Sequence, residues 1–107
     1  MTSEQKYQQI VSAMEASGEA KASKMFGMPC LKNANGKAFA GYFKGDMTFK
    51  LPREILKPWL SEPGAKLFDP SDMNRPMKEW LHLPPDYIDA WEQLSKDALL
   101  FVNSLIK

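Results

Sequence analysis

Apolar residues recur at two different spacings along this chain. Tyr7, Ile10, Val11 and Met14 stand at i, i+3, i+4 and i+7, one face of an α-helix, with Thr2 or Ser3 placed to cap it and Gly18 to end it. The helical period returns near the other end. Tyr87, Ile88, Trp91, Leu94, Ala98, Phe101, Val102 and Leu105 form one apolar stripe, opposed by Asp89, Glu92, Lys96 and Asn103. Glu92 and Lys96 have the i,i+4 spacing of a helical ion pair. Between these segments the period falls to two: Met47, Phe49 and Leu51 alternate with Thr48 and Lys50, which predicts a strand with one buried and one wet face. Ala38–Phe43 is nearly all apolar, so it is expected to be a central strand, its small residues letting a helix pack closely.

Turn chemistry divides the middle of the chain. Asn33 to Gly36 separates the strands Met28–Lys32 and Lys37–Phe43, and Asn-Gly is a hairpin signal because both residues tolerate positive φ. Lys44-Gly45-Asp46 forms the next turn. The polar residues Glu19 to Lys24 read as a short connection into the first strand. Pro52–Lys57 suits a short helical turn that stops before Pro58. Pro63-Gly64 fits the centre of a type II turn, so a strand is expected to follow from Ala65. Lys66–Phe68 and Met77–His82 read as two more strands, and Asp69 to Pro76 between them as the longest loop. Leu83-Pro84-Pro85 opens the last helix, with Asp86 at its positive end. The predicted fold is α+β, a single domain over residues 1–107: an antiparallel sheet of about five strands with N- and C-terminal helices packed on it, in the order α-β-β-β-α(short)-β-β-α.

Composition narrows the function classes. An apolar content of 44% and a charged content of 25% belong to globular chains and exclude disordered or fibrous ones. No apolar run approaches the roughly 20 residues that cross a bilayer, and the first residues lack the layout of a secretory signal, so a cytoplasmic location and no membrane partner are expected. The chain has one cysteine, Cys30, and one histidine, His82, too few for a Cys/His zinc site within one chain. Asp69 and Asp72 read as turn residues, and Asp86 and Asp89 as residues of a helix start. The glycines are dispersed rather than clustered between a strand and a helix. No metal or other cofactor is therefore expected.

Charge is segregated along the chain. Residues 20–57 carry eight basic side chains against two acidic ones, a balance of +6 in a protein whose net charge is +1. Lys32, Lys37, Lys44 and Lys50 are the candidate surface for an anion or nucleic acid, with Tyr42 available to stack on a base. Cys30 and His82 are the one conceivable thiol–imidazole pair, and for catalysis they would have to lie within hydrogen-bond reach. Met73, Arg75, Pro76 and Trp80, of types enriched at interfaces, are the candidate partner surface if Trp80 is exposed; a buried Trp80 is simply core.

Several blocks carry a resemblance. Met25-Phe26-Gly27-Met28-Pro29-Cys30-Leu31, Asn35-Gly36-Lys37-Ala38-Phe39-Ala40, Phe49-Lys50-Leu51, Ala65-Lys66-Leu67-Phe68-Asp69-Pro70 and Arg75-Pro76-Met77-Lys78-Glu79-Trp80 together resemble short members of the TfoX/Sxy N-terminal-domain family over nearly the whole chain. The resemblance implies a sheet with helices against it and a link to regulation; the family's competence regulators join this domain to a C-terminal helical one. It supplies no catalytic residues. The expected function is a small regulatory or interaction module acting through contacts with itself, as a homodimer, or with another protein. Nucleic-acid binding through residues 20–57 is the alternative, and an enzyme using Cys30 and His82 is the second alternative.

Overall fold

A computed structural model describes residues 2–69 and 76–105. Helix α1 (Ser3–Ser17) begins with a capping box, in which the Thr2 hydroxyl accepts from the Gln5 N–H and the Gln5 side chain accepts from the Thr2 N–H. Gly18 closes it in the left-handed conformation at φ 79°. Six strands follow, with a short helix interposed: β1 (Ala20–Met25), β2 (Met28–Asn33), β3 (Ala38–Phe43), β4 (Asp46–Lys50), α2 (Arg53–Trp59), β5 (Lys66–Phe68) and β6 (Met77–Leu83). The last helix, α3 (Trp91–Ser104), is entered through a 3-10 turn over Pro85–Ala90.

The sheet is antiparallel throughout, in the order β1-β2-β3-β4-β6-β5. The α+β architecture and the terminal helices are those predicted, with a sixth strand. That strand is β1, where the sequence predicts a connection. Its polarity follows from its place at the sheet edge, where only Ala20 is fully buried. Glu15 on α1 covers part of that edge by accepting from the Ala22 N–H at 3.0 Å.

Register gives the two faces of the sheet different character. Leu31, Ala40, Phe49, Leu81 and Leu67 stand opposite one another in one row, and they join the core with Tyr7, Ile10, Val11 and Met14 of α1 and Trp91, Leu94, Ala98, Leu99 and Val102 of α3. α3 lies over β2, β3 and β4, α1 along β1, and α2 against β6. The adjoining row is Ser23, Cys30, Gly41, Thr48, His82 and Lys66, on the face away from the helices. A second cluster built of strand residues alone, around Met28, Phe68 and Trp80, packs on that face.

Local departures from expectation have physical causes. β3 is apolar because Phe39 is an extra residue between the pairs Lys32–Ala38 and Leu31–Ala40, and this bulge turns both Phe39 and Ala40 into the helix-facing core. In the Asn-Gly turn only Gly36 takes positive φ, at 78°; Asn33 organises the turn, its side-chain oxygen accepting from the N–H groups of Asn35 and Lys37. α2 runs through Pro58 instead of stopping before it. Proline costs little in a last turn that closes through the Leu60 N–H to Leu56 O bond. The C-terminal stripe breaks at Tyr87, whose φ of −109° and ψ of 27° separate the 3-10 turn from α3. Glu92 does pair with Lys96, at 3.7 Å, and also reaches Lys6 of α1 at 3.8 Å.

Candidate functional site

The thiol–imidazole pair is separated by the register. Cys30, Gly41, Thr48 and His82 occupy one row on β2, β3, β4 and β6, so three strand spacings of about 4.8 Å put the two side chains roughly 14 Å apart. That corrects the catalytic alternative: no proton can pass directly between them. Cys30 is also fully buried, and burial raises its thiol pKa above the ordinary 9.0 against a smaller opposing effect of Lys32. A thiol so placed behaves as a small core hydrophobe.

His82 has a different partner. Its Nε2 lies 2.7 Å from Oδ2 of Asp46, and the edges of Phe43 and Phe68 pack against the imidazole at centroid distances of 6.1 and 5.6 Å. A carboxylate only accepts, so Nε2 carries the hydrogen. The cross-strand neighbour of His82 is Thr48, a fully buried residue whose Oγ1 has no hydrogen-bond partner among the described residues. The pair closes the sheet's second face next to the β3–β4 hairpin, with the His82 side chain 9% exposed.

Of the candidate partner surface, Met73 and Arg75 lie outside the described residues. Pro76 is exposed, but Trp80 is 6% exposed and packs with Phe68 and Met28. Trp80 is therefore core, because β6 turns it onto the apolar second face rather than towards water, and this corrects its place on that surface.

The candidate lysines are spread across the sheet. Lys32 faces Lys21 directly across the β1–β2 pair. Lys37 is exposed beside the Asn-Gly turn, and Lys50 reaches Glu79 at 3.8 Å. Lys44 sits at the other end of β3, in the β3–β4 hairpin, with its Nζ 5.1 Å from the centre of the Phe43 ring. Tyr42, the candidate stacking residue, turns to the helices and stacks on Tyr7 at 5.2 Å. Its ring is engaged inside the fold.

Two features escape the sequence reading. One is the β1–β2 hairpin, whose two-residue loop Phe26-Gly27 has φ of 53° and 75°, the positive values of a type I′ turn. Phe26 is 67% exposed there. The other is a groove of about 470 Å³ between α2 and the β5–β6 side of the sheet, floored by Leu51, Leu56, Leu60 and Leu67. Its faint sequence signal is the i,i+4 pair Arg53 and Lys57 beside leucines of the same helix.

No family model matches this chain, and no curated protein does. Among solved structures, the fold is similar to a crystal structure of a protein from Pseudomonas syringae determined by the Northeast Structural Genomics Consortium. The similarity covers 85% of this chain and 93% of that one, with a TM-score of 0.57 and 16% sequence identity. At that identity the likeness establishes the α+β fold. Among the described residues, no helix is long and apolar enough to cross a membrane, and no group of three or more His, Cys, Asp or Glu side chains is placed to hold a metal ion.

Proposed function

We propose that this chain is a small cytoplasmic interaction module without catalytic activity, which engages another protein through the tip of its β1–β2 hairpin. The carrying observation is the conformation of Phe26. A type I′ turn favours Asn or Gly at its first central position, and a bulky residue at positive φ costs about 1–2 kcal/mol. Phe26 is in that conformation at φ 53° and is 67% exposed, so burial within its own fold does not offset the cost. An exposed ring on a strained, preorganised turn is suited to an apolar pocket on a partner. The regulatory reading suggested by the resemblance to TfoX N-terminal domains agrees with this arrangement.

The test separates stability from binding. A photo-crosslinking phenylalanine analogue at position 26, introduced in the cell of origin, is expected to give a discrete protein adduct. Phe26→Asn is expected to raise the melting temperature, by about 0.5–1 kcal/mol of stability, while losing retention of that partner. An adduct with a second copy of the chain identifies self-association as the contact. Absence of any protein adduct, or equal retention by the Asn variant, refutes the reading.

A further inference from the structure

At the sheet edge opposite β1, the groove beside α2 combines two chemistries. Its floor is aliphatic: Leu51 follows β4, Leu56 and Leu60 belong to α2 and its C-terminal cap, and Leu67 lies on β5. Leu60 remains 38% exposed. Its walls are cationic. Arg53 and Lys57 stand one turn apart on α2, and Lys78 rises from β6. Among the described residues the ion pairs join Lys6 and Lys96 to Glu92, Lys50 to Glu79, and His82 to Asp46, which leaves these three cations without one. Glu79, the acid lining this groove, is the one that Lys50 engages. A second depression of about 570 Å³, lined also by Glu54, Pro58 and Ser61, shares Arg53 and Lys57 with the groove.

We propose that this groove binds an acidic amphipathic helix of another protein. The leucine floor requires apolar anchors, and helical side chains at i, i+3, i+4 and i+7 supply them in one stripe. The cations select the flanks. With Arg53 and Lys57 on the α2 wall and Lys78 on the β6 wall, the complementary ligand carries negative charge on both sides of its apolar stripe. A one-headed amphiphile such as a fatty carboxylate matches only one wall. An acidic helix places Glu or Asp against both, and Arg53 can take a carboxylate with two parallel hydrogen bonds. Because this surface and Phe26 lie at opposite edges of the sheet, the inference stands independently of the proposed function.

Fluorescence anisotropy with labelled synthetic helices tests it. The probe is a peptide with leucines at i, i+3, i+4 and i+7 flanked by glutamates; its counterpart has lysines in place of the glutamates, and decanoate serves as a competitor. The acidic peptide is expected to bind at least about tenfold tighter than the basic one, and to weaken as salt rises. The double variant Arg53→Glu/Lys57→Glu, at two exposed positions, is expected to lose about tenfold or more of that affinity, and Lys78→Glu a smaller share, while circular dichroism shows the fold unchanged. Phe26→Asn is expected to leave the affinity as it was. Equal binding of the two peptides, indifference to charge reversal, or binding of decanoate with none of the acidic peptide would each overturn the proposal.

Discussion

The two faces of the sheet are stabilised in different ways. The helix-facing row, Leu31, Ala40, Phe49, Leu81 and Leu67, gains by burying aliphatic and aromatic volume against α1 and α3. The other row, Cys30, Gly41, Thr48 and His82, has little such volume to bury; it depends on close fit and on the contact of His82 with Asp46. The Met28 methyl lies only 2.5 Å from where a Cβ on Gly41 would stand, and Thr48 Oγ1 only 3.1 Å. The row through Phe49 is therefore sensitive to lost volume, and the row through Gly41 to added volume or a missing partner.

Phe49→Ala gives the largest expected effect, a loss of about 3–5 kcal/mol in urea unfolding, because Phe49 is fully buried in the middle of the helix-facing row. Gly41→Val is expected to cost about 1–3 kcal/mol by overpacking against Met28 and Thr48. A cost above that of Phe49→Ala would reverse the ranking of the two faces. Asp46→Ala leaves the nearly buried His82 Nε2 without its acceptor, and about 1–2 kcal/mol should be lost in thermal or chemical unfolding. An unchanged midpoint would show that the pair is idle.

The smallest expected effect is alkaline. Burial raises the pKa of Cys30 above its ordinary 9.0, and that of Tyr7 well above its ordinary 10.0 with smaller contributions from Cys30 and Glu15. Both groups therefore keep their protons in the folded chain at pH values where the unfolded chain releases them. Stability is fully present below pH 9 and falls as pH rises through 9 for Cys30 and through 10 for Tyr7. Tyr7→Phe is expected to flatten the upper part of that decline, measured by unfolding midpoints across the alkaline range. It also removes a buried hydroxyl that has no hydrogen-bond partner among the described residues, so little stability should be lost at neutral pH.

How much was legible follows from which signals are local. Tyr7, Ile10, Val11 and Met14 carry their helix in their spacing, and Met47, Phe49 and Leu51 carry their strand. Strand β1 was illegible because an edge strand lacks the apolar alternation that marks a half-buried one; its identity comes from pairing with β2 along its whole length. Trp80 could not be assigned a face from sequence, since its side is set by the pairing of β6 with β4, where Trp80 stands opposite Lys50 and the next residue, Leu81, opposite the helix-facing Phe49. The candidate thiol–imidazole pair was illegible for a related reason. Cys30 and His82 share a row, yet the strand order β2-β3-β4-β6 holds them apart.

The α+β class, the antiparallel hairpins and the two terminal helices are legible along the chain, because each depends on side-chain period or turn chemistry within a few residues. So is the basic character of residues 20–57. What that charge and those apolar residues face follows from the folded arrangement of the strands. Strand order and register separate Lys44 from Lys50, turn Tyr42 inward, bury Trp80 and leave Phe26 exposed. They also bring Leu67 and Lys78 alongside Arg53 and Lys57 to form the groove. The physical reason is that a surface is made by segments distant in sequence, and no local pattern encodes which of them will meet.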